Sequence, residues 1–216
     1  MLRIIMMLIV CVGCIVSDSA RAADDLAAAL AGITQEMASL KSVQVDFVQE
    51  KKMAVFSSTI VLRGTLAWER PDSLAWHIAS PIQYAFIMRG GLVRQWEGEH
   101  NTVQEFNMNA NPMMRVASQQ IQRWFSGKYD QLAREYDVAL VSGKPLVLAC
   151  VPHPNSPEAG FVARVSIQFR EDLRYIEKIT IEEMSGDQTS IQFENARLNE
   201  TIPVDAWRAG LVSPHG

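Results

Sequence analysis

The chain has 216 residues, a formal net charge of −4 and 48% hydrophobic residues. That length and apolar content suit one globular domain with a real core. No Lys/Arg block or basic tail interrupts the mildly acidic balance, which excludes nucleic acid as a partner, since that needs a cationic stripe to displace phosphate counterions.

Arg3 supplies a short positive start, residues 4–16 form an apolar run, and Ser17-Asp18-Ser19 breaks it before Ala20-Arg21-Ala22. This is the pattern of a secretory signal peptide over residues 1–22, cleaved after Ala22. The run is shorter than the roughly 20 apolar residues that span a bilayer. Gly13-Cys14 offers lipoprotein-type processing as an alternative, although Cys11 stands where Leu is usual three residues before such a cysteine. Cys150 alone then remains in the mature chain, residues 23–216, read as a single domain. One cysteine cannot close an internal disulfide, and its apolar surroundings at 146–151 mark it as a buried, inert thiol.

Leu26, Leu30, Ile33, Met37 and Leu40 recur at helical spacing and predict a helix over 24–41, with Asp24 and Asp25 at its start and Lys41 at its end. From Val43 the period changes to two. Strands are expected from 43, at 59–69 and from Ser73 to about Ser80, the last two separated by the turn Arg70-Pro71-Asp72. Further strands are expected at 84–89, 92–97 and 102–106, with Gly90-Gly91 turning the first pair. Met114, Ala117, Ile121, Trp124 and Phe125 keep helical spacing over 113–126, capped by Gly127. Strands resume at 136–142, 146–152, 161–169, 174–183 and 188–194, with turns at Glu171-Asp172 and Ser185-Gly186-Asp187.

About ten antiparallel strands in succession curl into a barrel or half-barrel, with the two amphipathic helices as covers for its inner face. Loose filling of that face leaves a hydrophobic cavity. Met53, Met88, Met108, Met113, Met114 and Met184 read as core fillers on composition alone. Met113 and Met114, at the start of the central helix, are the candidates for a mobile lid.

Four segments carry a resemblance. They are Phe47-Val48-Gln49-Glu50-Lys51; the run from Gly64-Thr65-Leu66-Ala67-Trp68-Glu69-Arg70-Pro71 to Leu74-Ala75-Trp76; Pro81 before a strand ending in a glycine turn; and Ile202-Pro203 with Trp207. Together they resemble the periplasmic outer-membrane lipoprotein carrier family (LolA-type), in a divergent branch. The resemblance implies an α+β fold: an antiparallel incomplete β-barrel (half-barrel) with a helical lid over a hydrophobic cavity. It implies a carrier that takes acylated lipoprotein from an inner-membrane ABC release complex to an outer-membrane receptor, as a monomer without cofactors. Free lipid or a lipid-linked intermediate is the alternative cargo. The family's functional arginine falls on Arg70, expected to hydrogen-bond lid-helix backbone and hold the empty form closed. Leu66, Trp68, Leu74, Trp76, Met113 and Met114 are the expected cargo-cavity residues. The segment 113–126 fits the family poorly, and the family's C-terminal strand is expected to be short.

An enzyme is not expected. His77, His100, His153 and His215 are not at metal-ligand spacing and read as solvated loop or strand-end residues. Glu182 and Glu183 are neighbours on one strand, so they point to opposite faces. Glu97 and Glu99 flank Gly98 in a turn, and no nucleophile elbow or phosphate-binding glycine loop occurs.

Overall fold

The apolar period changes from 3.6 to 2 at the junction of α1 (Gly13–Ala38) and β1 (Ser42–Lys52). The computed structural model describes residues 13–55, 58–108, 124–125, 127, 129–156 and 158–210. Ile33, Met37 and Leu40 are buried on one stripe, while Leu26 and Leu30 pack partly buried against the same core. The helix starts earlier than the apolar stripe predicts, because alanine-rich sequence of high helix propensity continues back through Ala20, Ala22 and Ala23. Asp24 and Asp25 therefore lie within the helix, and Lys41 lies beyond its end.

Ten further strands follow: β2 (Thr59–Glu69), β3 (Ser73–Ser80), β4 (Tyr84–Arg89), β5 (Leu92–Glu97), β6 (Thr102–Asn107), β7 (Tyr136–Gly143), β8 (Leu146–Pro152), β9 (Val162–Phe169), β10 (Ile176–Glu183) and β11 (Gln188–Leu198). Gly90 and Gly91 turn β4 into β5 at φ +59° and +78°, values that glycine adopts without steric cost. All eleven strands form one antiparallel sheet in the order β6-β5-β4-β3-β2-β1-β11-β10-β9-β8-β7. Two meanders, β1–β6 and β7–β11, thus meet through one long-range pairing, in which Phe47 lies opposite Phe193. The sheet does not close between β6 and β7, so the molecule is an open, incomplete barrel. Short 3₁₀ turns at Tyr129–Arg134 and Val204–Trp207 were not apparent from periodicity, since both are too brief to display it.

Strands β2 to β5 present their two faces to different layers. The concave face carries Val43, Val45, Phe47, Leu66, Trp68, Leu74, Met88 and Val93, packed with α1, Trp124, Phe125 and Tyr129. The convex face carries Ala67, Ala75, Ala85, Ile87 and Trp96, covered by Ile202, Ala206, Trp207 and Ala209. Burial on both sides explains why Leu66, Ala67 and Trp68 are consecutive buried residues. His77 also lies on the covered convex side, so it is buried at 8% exposure rather than solvated. Of the expected central helix, Trp124 and Phe125 are helical and buried, while Met113 and Met114 lie outside the described residues.

Candidate functional site

The β2–β3 hairpin places four of the expected cargo residues on one wall. Antiparallel register sets Trp68 opposite Leu74 and Leu66 opposite Trp76, and directly opposed residues share a face. The wall extends through the pairs Val45 with Leu66, Leu74 with Met88 and Trp76 with Phe86. Its aromatic rings form a chain. Phe47 and Trp76 have centroids 4.4 Å apart, Trp76 and Phe193 6.5 Å, Phe193 and Phe125 6.0 Å, and Phe125 and Trp68 6.4 Å. Sequence reasoning named Trp68 and Trp76 but not Phe47, Phe125 or Phe193 as members. Alternation put Phe47 on a strand face, but its apposition to Phe193 depends on a pairing across almost the whole chain.

Arg70 follows β2 directly and reaches across to the end of α1. Its Nε donates to the carbonyl of Leu40 and its Nη2 to that of Met37 at 3.1 Å. The last carbonyls of a helix have no partner within it and carry its negative dipole end, so a guanidinium is a matched cap. The backbone N–H of Arg70 also donates to Lys41 O at 2.9 Å. Its guanidinium carbon stands 5.5 Å from the Trp68 ring centroid, within cation–π range. Arg70 therefore ties the helix end to the hairpin that carries the aromatic wall.

Trp68 is buried at 1% exposure, and its Nε1 has no hydrogen-bond acceptor among the described residues. An open concavity of about 710 Å³ runs along α1, bordered by Ala27, Leu30, Ala31, Thr34, Gln35 and Ala38. Leu66, Trp68, Leu74 and Trp76 do not border it; they face the packed interior. Thr34 Oγ1, on its margin, is also buried without a partner among the described residues.

Other chemistry-bearing groups stand apart from this wall. Burial pushes the Cys150 thiol up to about 12, which keeps it protonated and unreactive. Tyr129, fully buried, donates its hydroxyl to Trp124 O and is likewise held protonated by burial. Glu183 pairs with Lys51 at 2.8 Å, and that pair raises the lysine's pKa. Among the described residues no group of three or more His, Cys, Asp or Glu could hold a metal ion.

Residues 38–208 match the family described as outer membrane lipoprotein carrier protein LolA. The chain belongs to this family. The match spans Arg70, the whole aromatic wall and the C-terminal cover through Trp207. The LolA family is periplasmic and its carrier proteins are non-enzymatic; this chain is not an enzyme. An outer-membrane lipoprotein carrier protein of Pseudoalteromonas translucida (strain TAC 125) is 22% identical over 188 residues, covering 85% of this chain and 83% of that protein. Among solved structures, MucB in the MucA/MucB complex of Pseudomonas aeruginosa is 16% identical with a TM-score of 0.49, over 86% of this chain and 61% of that one. A LolA superfamily protein from Nitrosomonas europaea is 12% identical with a TM-score of 0.42, over 84% and 96% of the two chains.

Proposed function

We propose that this LolA-family protein binds the acyl chains of lipoproteins on the concave wall of its open barrel and carries them from inner to outer membrane. In this reading the export signal is cleaved after Ala22. Cargo arrives from an inner-membrane ABC release complex and leaves to an outer-membrane receptor. The observation that carries the reading is the coupling of Arg70 to both layers: it caps the end of α1 while lying over Trp68 of the apolar wall.

The energetics suit a reversible latch. Each hydrogen bond of Arg70 contributes about 0.5–1.5 kcal/mol net. Each buried methylene of a cargo chain contributes roughly 0.8 kcal/mol. A few methylenes therefore offset the loss of the latch, and cargo release restores it. Removing the latch destabilises the closed, empty form and leaves the loaded form favoured. Arg70→Leu is accordingly expected to retain cargo and slow its release by about tenfold, the equivalent of roughly one lost cap. Unchanged release kinetics would remove Arg70 from the mechanism. Leu74→Glu, which puts a charge on the wall at a position with 0% exposure, is expected to abolish uptake.

The experiment that tests the reading is native mass spectrometry of the mature protein taken from periplasm without detergent. Adducts that release acylated peptides or proteins support lipoprotein carriage. Adducts of free lipid mass redirect the function to a lipid or lipid-linked intermediate, and a variant-independent absence of any acyl adduct under cargo overexpression rejects acyl carriage.

A further inference from the structure

Among the described residues, the indole N–H of Trp68 is the one buried polar group on the aromatic wall without a partner. Trp96, buried on the convex side, donates its Nε1 to Asn101 Oδ1 at 3.1 Å. Trp68 is more deeply buried and has no such partner among the described residues. A buried donor without an acceptor costs free energy, and buried indoles ordinarily find one. Phenylalanine at position 68 would supply aromatic surface to Phe125 without that cost. The donor also does not stand alone, because Arg70 lies over the same ring and holds its own donors on the Met37 and Leu40 carbonyls. Release of the helix end would leave two kinds of donor side by side at one end of an apolar wall.

That arrangement complements a hydrogen-bond acceptor at the head of an apolar chain. A carbonyl oxygen only accepts hydrogen bonds, and an arginine only donates them. An acyl chain joined through an ester or amide has such a carbonyl at its head and hydrocarbon beyond it. We propose that Trp68 Nε1–H is the docking donor for the carbonyl oxygen of an ester- or amide-linked acyl chain. It anchors the head of the chain beside Arg70 while the tail lies over Leu66, Leu74 and Trp76. This inference rests on the acyl-carrier reading above and adds to it a recognition element: the wall distinguishes acyl chains from plain alkyl chains.

The test titrates methyl laurate and n-tetradecane, a chain of equal length with no hydrogen-bond acceptor, into the mature wild type and Trp68→Phe. The ester-to-alkane affinity ratio is expected to be about fivefold higher in the wild type than in Trp68→Phe, the scale of one neutral hydrogen bond. Addition of the ester should move the Trp68 indole N–H proton resonance downfield, whereas the alkane should not. An equal ratio in the two proteins, or an indole resonance that does not respond to bound ester, overturns the assignment and leaves the carrier reading standing. Failure of both probes to bind the wild type removes the carrier reading itself. Should Trp68→Phe fail to fold, the indole resonance decides alone.

Discussion

A Cβ at Gly64 would stand 1.8 Å from the His77 carbonyl oxygen and 2.8 Å from the tip of the Phe47 ring. The missing side chain is what lets Phe47 fold over β2 and stack on Trp76. Gly64→Ala must therefore either break the β2–β3 ladder or expel Phe47 from the wall. We expect it to lower stability by at least about 2 kcal/mol, the scale of overpacking in a core, measured by urea denaturation. A loss within error of zero would mean the hairpin yields freely and the wall is not a rigid surface. Arg70 teaches a complementary lesson. Its place before Pro71 was legible, and the family resemblance marked it as functional. Its acceptors were not, because Met37 and Leu40 lie some thirty residues away and meet it only once the helix has landed on the hairpin.

The C-terminal segment behaves as an element in its own right. Ser42 Oγ donates to Glu200 O at 2.7 Å, and His77 Nε2 lies 2.9 Å from Ala206 O. A carbonyl can only accept, so His77 donates through Nε2. Arg89 stacks 4.7 Å over the Trp207 ring and approaches Glu69 at 3.6 Å. Alanines at 67, 75 and 85 keep the convex face flat enough for this strap to seat. Burial lowers the pKa of His77 below its usual 6.5, with the bond to Ala206 opposing the shift. The folded state then takes up a proton less readily than the unfolded state. The stability this contributes is complete above pH 6.5 and declines as pH falls below it. The thermal midpoint of the wild type should drop between pH 7.5 and 5.5, and that of His77→Gln, which keeps a donor but does not titrate, should drop less. Parallel pH profiles for the two proteins would show that the strap's histidine does not govern the acid response.

At the scale of the whole molecule, the pairing of β1 with β11 joins two locally built meanders, and it leaves β6 and β7 as the free edges of an open barrel. The two edges differ. β7 packs against α1 and the turn at Tyr129–Arg134, whereas most of β6 is exposed to solvent. Backbone amides should accordingly exchange slowest in β1 and β11 and fastest in β6, with β7 between, when followed by hydrogen exchange in the native state. Protection of β6 equal to that of β1 would mean that the open edge is covered in solution.

Local chemistry determined much of this by itself. Period-two alternation, turn residues and glycine pairs marked the strands and their hairpins, because each depends on neighbours in sequence. The short Arg-Pro segment pointed to the family and to Arg70. Contacts between distant segments depended on tertiary structure. The β1–β11 seam brought Phe47 onto Phe193, and the strap buried His77 where alternation had left it facing solvent. The end of α1 supplied carbonyls to Arg70, and only the packed wall showed Trp68 with a donor and no acceptor among the described residues. Sequence patterning records which face a side chain takes; what waits on the other side of that face is decided when remote elements pack together.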